Sequence, residues 1–283
     1  MGKETKIEWT DSSWNPWYGC HKVSKGCENC YMYRDFKRFG KDPETVTRAK
    51  PDTFNAPMRK QMGPLIFVCS WSDFFIPEAD EWRADAWNII RRTPRLVYQI
   101  LTKRPERIEQ CLPDDWGGKG YPNVFLGVSA EDQRQADFRI PILLKIPARI
   151  RFLSCEPLLG RIDLMGSEYL RRHFVSYDDP RVLREQIDWV IVGGESGPDA
   201  RPMLPGWVHT ILGQCRYAKV PFFFKQWGEW MPVKDDMVMV GRTRAGRKLF
   251  GRTWDEMPEI ERSCRQYVGK KTVFNGAECE EAH

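Results

Sequence analysis

The chain has 283 residues, of which 41% are hydrophobic and 29% are charged, and its formal net charge is +5. These values are typical of a soluble globular protein with a substantial core, and they exclude a low-complexity or highly charged disordered chain. The opening MGKETKIEWTDSS is polar and no long apolar run follows it, so neither secretion nor a membrane span is predicted and we expect a cytoplasmic protein.

Charge and cysteine content narrow the candidate functions. Residues 1–62 contain 12 Lys/Arg against 8 Asp/Glu, and this mild bias suits either attraction of a phosphate backbone or a solvated basic face. The nine cysteines are an odd number, and in a reducing compartment clustered cysteines are more often metal ligands than disulfides.

Buried strands are predicted at regular intervals along the chain. A short strand in IEWTDSSWNP (7–16) comes first. The apolar runs that follow, each ending in polar residues, are LIFVCSWSD (65–73), LVYQILTKR (96–104), VFLGVSAED (124–132), IRFLSCEP (150–157), WVIVGGES (189–196) and PFFFKQWG (221–228). Such runs are typical of strands buried on both faces of a parallel sheet, and helices such as PEADEWRADAWNIIRRT (77–93) fill the intervals.

About seven strands alternating with helices predict an α/β fold in one domain, which we interpret as a complete or partial TIM-type (β/α) barrel. A doubly wound open sheet is the alternative. We assign the barrel to residues 1–228 and an irregular extension or cap to residues 229–283. The segment YLRRHFVSYDDPRVLREQ (169–186) is predicted to be an inserted helical excursion.

Polar residues follow the predicted strands, at the rim where barrel enzymes carry their active sites. These residues are Ser70, Ser72, Asp73, Thr102, Lys103, Arg104, Ser129, Glu131, Cys155, Glu156, Gly193, Gly194, Glu195, Ser196, Lys225 and Gln226. A purely structural barrel needs far fewer polar groups at one rim, so the pattern favours a ligand site.

Three cysteines form the most specific motif, because Cys20, Cys27 and Cys30 are spaced C-x6-C-x2-C in a loop after the first strand. One interpretation is a zinc site completed by His21, although a histidine directly after Cys20 is awkward for ligating the same ion. A second is three unrelated buried thiols, which the polar, glycine-containing loop disfavours.

The third interpretation of the motif is an iron–sulfur cluster. Cluster irons are normally held by thiolates, and three thiolates leave one iron of a four-iron cluster open to an external ligand. Radical S-adenosylmethionine enzymes use such an open iron, with the usual spacing C-x3-C-x2-C, from which the first gap departs here.

The sequence resembles a phage-associated family of radical S-adenosylmethionine proteins that is identified by a three-cysteine motif. The matching segments are IEWTDSSWNPWYGCHKVSKGCENCY, LTKRPER, FLSCEPLLG, VIVGGESGPDARPM and PFFFKQWGEW, which lie within residues 7–230. The resemblance implies a partial barrel of the radical S-adenosylmethionine kind, a [4Fe–4S] cluster held by Cys20, Cys27 and Cys30, S-adenosylmethionine and an external electron donor. It implies no settled substrate.

With that resemblance, rim residues can be matched to the groups of S-adenosylmethionine. The end of the second strand is where the ammonium contact is expected, and Asp73 is the first candidate there, with Ser70 and Ser72 beside it and a helix N-cap as its structural alternative. Ser129 and Glu131 suit the ribose hydroxyls. The turn Gly193–Gly194–Glu195 suits the cofactor, the substrate, or a tight turn that needs glycine.

The remaining rim residues suggest an anionic substrate, with nucleic acid or a nucleotide as the favoured class. Lys103 and Arg104 suit a carboxylate or phosphate, or else a salt-bridged loop, and Arg201 and Lys225 add positive charge. Two further residues are candidates for chemistry. Cys155 is a candidate hydrogen-atom donor or a buried structural cysteine, and Glu156 is a candidate general acid or base or a structural residue.

We therefore expect a radical S-adenosylmethionine enzyme that abstracts hydrogen from an anionic substrate. The alternative is a non-catalytic, zinc-stabilised nucleic-acid-binding or adaptor protein, which a fourth ligand such as Cys69 or His209 would favour. A third hypothesis keeps the cluster for sensing or docking. Six aromatic residues near the rim are candidates for stacking on bases or for core packing: Trp14, Trp17, Tyr18, Trp71, Trp227 and Trp230.

Overall fold

The computed structural model describes residue 5 and residues 7–59, 61–166, 169–170 and 186–259. In chain order, the strands are β1 (Ser12–Trp14), β2 (Trp17–Tyr18), β3 (Thr47–Arg48), β4 (Leu65–Val68), β5 (Val97–Thr102), β6 (Val124–Ser129), β7 (Ile150–Cys155), β8 (Trp189–Gly193), β9 (Phe222–Gln226), β10 (Trp230–Val233) and β11 (Asp236–Met239). The α-helices are α1 (Tyr31–Arg38), α2 (Pro51–Phe54), α3 (Ala56–Arg59), α4 (Asp80–Arg92), α5 (Gln133–Lys145), α6 (Pro205–Ala218) and α7 (Arg242–Ala245).

Seven of these strands form one parallel sheet in the order β1-β4-β5-β6-β7-β8-β9. The sheet curls into a half-barrel, which confirms the predicted α/β class and is compatible with a partial barrel. Since consecutive strands are parallel neighbours, all their carboxyl ends lie at one rim, as the sequence predicts. The short strands β2 and β3 pair beside the cysteine loop and fix its entry.

The two faces of the sheet bury different groups. Residues facing outward, such as Ile66, Tyr98 and Leu126, pack against the apolar sides of α4, α5 and α6 in the main core. Residues facing inward form a second cluster that is rich in aromatic rings. Its buried members are Trp9, Leu65, Phe67, Val97, Phe125, Phe152, Trp189, Ile191 and Phe223.

These inward-facing rings close the amino-terminal end of the half-barrel. The ring of Trp9 lies 4.7 Å from that of Phe67 and 6.1 Å from that of Trp189, measured between ring centres. Gly127 on β6 makes this packing possible, because a Cβ atom there would lie 2.5 Å from the Phe152 ring. We call Trp9, Phe67, Phe152, Trp189 and Phe223 the aromatic floor.

Helices connect most neighbouring strands, and local sequence explains where they begin. The helix α4 starts with Asp80 and Glu81 and ends with Arg91 and Arg92, charges that complement the helix dipole. In α5 the N-cap Asp132 accepts a hydrogen bond from a backbone N–H of the first turn at 2.9 Å.

The connection between β5 and β6 departs from the predicted strand–helix alternation. It contains two 3-10 turns, Pro105–Arg107 and Glu109–Cys111, and no α-helix. Its sequence carries proline at 105, 113 and 122 and glycine at 117, 118 and 120, which interrupt helical hydrogen bonding. Most of the predicted helical excursion at 169–186 lies outside the described residues.

The region after the last sheet strand, which the sequence assigns to an irregular extension or cap, begins with regular structure. An antiparallel hairpin of β10 and β11 comes first, followed by α7. Trp254 then packs over β9, and its carbonyl accepts a hydrogen bond from the Phe224 N–H at 2.9 Å. The described part of the extension is therefore in contact with the half-barrel. None of the described helices is long and apolar enough to cross a membrane.

Candidate active site in the half-barrel

A cavity of about 770 Å³ opens at the carboxyl ends of the strands, above the aromatic floor. Among the residues that line it are most of the predicted site residues: Cys20, Cys27, Cys30, Ser70, Ser72, Asp73, Lys103, Arg104, Ser129, Glu156, Gly194, Glu195 and Lys225. The other four, Glu131, Cys155, Gly193 and Arg201, lie outside the lining. The chain thus brings groups from six strand ends and the cysteine loop to one place.

The cysteine loop is fixed at both ends by backbone contacts. Gly19 has a φ of +87°, and a Cβ atom there would lie 2.4 Å from the carbonyl oxygen of Thr45 on the neighbouring segment, so glycine is required. The N–H of Cys20 donates to the Pro43 carbonyl at 2.9 Å. Cys30 is the N-cap of α1, which places the last thiol at a helix start.

Arg104 provides the first of three ion-pair contacts that hold this loop. Its guanidinium lies 3.2 Å from the carboxylate of Asp73, donates to the His21 carbonyl at 2.9 Å, and lies 3.7 Å from Sγ of Cys20. Asp73 also accepts hydrogen bonds from Thr102 and from the backbone N–H of Lys103. Asp73 and Arg104 are therefore engaged with each other and with the loop, which is the salt-bridged alternative that the sequence left open for Arg104.

This arrangement also sets the protonation of Cys20. Burial and the negative charge of Asp73 together raise the pKa of the Cys20 thiol to about 12, although the charge of Arg104 opposes them. Without a metal, Cys20 is thus a neutral thiol at physiological pH.

Glu131 provides the second contact, from the end of β6. Its carboxylate accepts a hydrogen bond from the buried Arg139 at 2.9 Å and another from the N–H of Gly26 at 3.2 Å. Burial raises the pKa of Glu131, but the charge of Arg139 and these hydrogen bonds outweigh it and hold the pKa below its ordinary value. Predicted as a ribose ligand, Glu131 instead supports the loop between Cys20 and Cys27.

Glu195 and Arg201 provide the third contact, from the end of β8. Two guanidinium nitrogens of Arg201 donate to the two carboxylate oxygens of Glu195 at 2.9 and 2.6 Å. Arg201 also donates to the carbonyl of Lys25 and to Glu28, while Asn29 donates to Glu195. Burial raises the pKa of Glu195, and the Arg201 hydrogen bonds and charge reverse that effect, so the net pKa is lowered.

The glycines before Glu195 have a structural requirement. A Cβ atom on Gly194 would lie 2.0 Å from the carbonyl oxygen of Trp227, and one on Gly193 would lie 3.2 Å from the carboxyl carbon of Glu156. The turn therefore needs glycine for close backbone approach, which is one of the alternatives that the sequence left open.

Glu156 and Lys225 form the remaining charged pair in the cavity. The ammonium of Lys225 donates to Glu156 at 2.6 Å, and both side chains are partly exposed to the cavity. Unlike Asp73, Glu131 and Glu195, Glu156 is not paired with an arginine or with the cysteine loop among the described residues. This pair is accessible to a ligand.

Cys155 lies outside the cavity lining and is fully buried, which favours the structural alternative over the hydrogen-atom donor. Side chains alternate along β7, so Leu153 and Cys155 face the helices in the main core, whereas Phe152 faces the floor and Ser154 lines the cavity. Burial raises the pKa of the Cys155 thiol. Ser154 is the residue of β7 that the sequence interpretation missed, and side-chain alternation from Phe152 identifies it.

The three cysteines of the loop do not converge on a site for a single metal ion. Within the described ranges, no three His, Cys, Asp or Glu side chains are close enough to hold one ion. The Cys20 thiol lies 3.7 Å from the Arg104 guanidinium, and Cys27 lies 4.0 Å from the hydroxyl of Ser24. In an iron–sulfur cluster each thiolate binds its own iron, so the three thiols need to surround one group and not to meet at one ion.

The three candidates for a fourth metal ligand from the protein lie in different surroundings. Cys69, which follows β4 with a φ of +60°, lines the same cavity and is 3% exposed. His209 stacks on Phe250 and is not among the cavity-lining residues. The ring of His21 lies 2.6 Å from the carboxylate of Glu78.

The rim tryptophans divide into core and cavity residues. Trp14 and Trp17 are fully buried, and their indole N–H groups donate to the carbonyls of Phe54 and Asp73. Trp71 lines the cavity. Asn15, another residue that the sequence interpretation missed, positions Trp71 by accepting a hydrogen bond from its backbone N–H at 2.9 Å.

Together, the fold and the site define an α/β half-barrel protein with a polar, cysteine-lined cavity at its strand ends. Residues 4–258 match a family described as a protein of unknown function (DUF5131), and because the match covers most of the chain, the protein belongs to that family. No curated protein and no solved structure matched the chain.

Proposed function

We propose that this protein is a radical S-adenosylmethionine enzyme that modifies or repairs a nucleic acid, a nucleotide or another anionic substrate. The observation that carries the proposal is the presence of Cys20, Cys27 and Cys30 in the lining of one cavity at the carboxyl ends of parallel strands. The proposal includes the phage-associated three-cysteine family, a cytoplasmic location and an external electron donor.

The donor set suits a [4Fe–4S] cluster with one open iron, because thiolates are the usual cluster ligands and three of them lie on one short loop. The cavity volume of about 770 Å³ is in the range of small-molecule and cofactor sites. Three ion-pair contacts from separate strand ends hold this loop beside the cavity.

With both groups bound, such a site supplies a 5′-deoxyadenosyl radical that abstracts hydrogen from a substrate. The protein's own contribution is to bind and orient the substrate. Glu156 and Lys225 can exchange a proton or bind a zwitterionic group. Arg34 and Arg242 also line the cavity and add positive charge, which favours an anionic substrate.

A zinc-stabilised binding or adaptor protein is the second candidate. The observation that favours it is Cys69, a fourth thiol in the lining of the same cavity. Four cysteine thiolates are a common ligand set for structural zinc.

Anaerobic purification, followed by iron, sulfide and zinc analysis and electron paramagnetic resonance of the reduced protein, separates these candidates. We expect about four irons per chain and a signal that changes on addition of S-adenosylmethionine. Cys27→Ala should lose the iron, whereas Cys215→Ala, a buried cysteine of α6, should retain it.

Stoichiometric zinc that depends on Cys69, with no cluster after anaerobic reconstitution, would refute the radical mechanism. For the substrate, 5′-deoxyadenosine formation by the reduced protein can be measured with and without nucleotides, DNA or RNA. If nucleotides, DNA or RNA stimulate 5′-deoxyadenosine formation, the compound that does so identifies the class of the substrate.

A further inference from the structure

Three side chains on neighbouring strands form a group of hydrogen-bond donors inside the cavity. Lys103 follows β5, Ser129 ends β6 and Ser154 lies on β7, and all three line the cavity. Ser129 and Ser154 are paired in register, so they stand side by side on strands about 4.8 Å apart. The ammonium of Lys103 donates to the Ser129 hydroxyl at 3.2 Å.

The donors in this group are only partly used by the protein. Lys103 donates to Ser129 but forms no salt bridge with any described residue, and the hydroxyl of Ser154, which is 1% exposed, has no hydrogen-bond partner among them. The carboxylate of Glu131 is near enough to interact with the charge of Lys103, but it already accepts hydrogen bonds from Arg139 and Gly26. A buried hydroxyl without an acceptor and an ammonium without a counter-ion have lost contacts with water, and a ligand can replace those contacts.

The surface beside these donors is apolar. Leu101 and Phe67 line the cavity next to Lys103, and so does Trp9, whose buried indole N–H has no acceptor among the described residues. A ligand that fills this space therefore needs an anionic group for the donors and an apolar or aromatic body for the floor.

We propose that Lys103, Ser129 and Ser154 form an oxyanion subsite that binds a carboxylate or phosphate of the ligand in the cavity. The subsite deepens the proposed function because it lies in the same cavity. It does not depend on a cluster, since its donors come from strands and not from the cysteine loop. Lys103 supplies the charge, and the two hydroxyls supply directional hydrogen bonds.

The test measures equilibrium binding to the metal-free, full-length protein with two pairs of probes. S-adenosylhomocysteine is compared with 5′-methylthioadenosine, which lacks the amino-acid group, and AMP is compared with adenosine. The variants are Lys103→Met and Ser154→Ala. Lys119→Met, at an exposed lysine outside the cavity, is the matched control.

In at least one pair, we expect the probe that carries the carboxylate or phosphate to bind about tenfold more tightly than the probe that lacks it, as suits one charge-assisted contact. Lys103→Met should remove most of that difference, Ser154→Ala should reduce it, and Lys119→Met should keep it. An effect on S-adenosylhomocysteine alone identifies the carboxylate of the cofactor, and an effect on AMP alone identifies a nucleotide phosphate.

Equal binding of both members in each pair by the wild type, or the same difference in Lys103→Met and Lys119→Met, overturns the subsite. Because binding is measured without iron, a failure to assemble a cluster does not affect the result. The far-ultraviolet circular dichroism spectrum of each variant shows that it is folded.

Discussion

Arg104 lies 3.7 Å from the sulfur of Cys20 while it also forms a buried salt bridge with Asp73, although 84 positions separate the arginine from the cysteine. The end of β5 is thereby connected to the first thiol of the cysteine loop. Glu131 and Glu195 make equivalent connections from β6 and β8. The loop is thus held by ion pairs whose anchors are strand ends.

Arg104→Met should strongly destabilise the protein and release Cys20. Loss of the guanidinium leaves the buried Asp73 carboxylate uncompensated, which costs about 3–5 kcal/mol in comparable pairs. Urea unfolding measures the stability, and alkylation followed by mass spectrometry measures exposure of Cys20. Arg91→Met removes a solvent-exposed pair with Asp115 and should leave the unfolding midpoint unchanged. Equal effects of the two substitutions would contradict the role of Arg104.

The lowered pKa of Glu131 predicts that the protein loses stability in acid. Its pKa is below the ordinary value of 4.5, so its contribution is complete above that pH and is lost as the pH falls through the lower folded-state pKa. Glu131→Gln should be less stable at pH 7 and should show a flatter decline below pH of about 4.5. Unfolding free energies measured from pH 7 to 3 check this. If the unfolding free energies of the wild type and of Glu131→Gln fall in parallel as the pH is lowered, the Glu131–Arg139 ion pair is not the cause of the loss.

Gly194→Ala should destabilise the junction of β8 and β9. The added Cβ would lie 2.0 Å from the Trp227 carbonyl, so backbone must move, at a cost of about 3 kcal/mol or more. Gly206→Ala is the matched control, because nothing lies within 4 Å of a Cβ there and alanine favours the helix α6. Melting temperatures distinguish them. A Gly194→Ala protein as stable as the wild type would show that the close approach is absent.

Cys155→Ala should retain the iron that Cys30→Ala loses. Cys155 faces the helices in the core, whereas Cys30 lines the cavity. Iron and sulfide content after anaerobic reconstitution gives the comparison, with unfolding curves as the test of folding. Loss of iron in both variants would place Cys155 in the site and overturn the assignment of its side chain to the core.

The sheet was predictable because the signal for each strand is local. Runs such as LIFV and WVIVG are apolar and β-branched, and parallel strands buried on both faces need such residues. Their ends therefore located the rim and most of the cavity lining. Because such a strand is buried on both faces, its sequence does not show which residues face inward. The sequence therefore suggests Cys155 for chemistry and does not single out Ser154.

The contacts between the strand ends and the backbone of the cysteine loop were not predictable from sequence. Glu131 meets Gly26 across 105 positions, and Arg201 meets Lys25 across 176. A polar residue at a strand end looks the same whether it faces a ligand or a loop of its own chain, and only the fold decides between them. For this reason Asp73, Glu131 and Glu195 were expected to bind the cofactor, yet each is engaged by an arginine.

The aromatic floor limits the form of any substrate. Because Trp9, Phe152 and Trp189 pack together at the amino-terminal end of the strands, a ligand does not reach the cavity from that end. If the proposed substrate is a duplex nucleic acid, a base reaches the floor by leaving the stack, so single-stranded or damaged positions would enter at lower energetic cost.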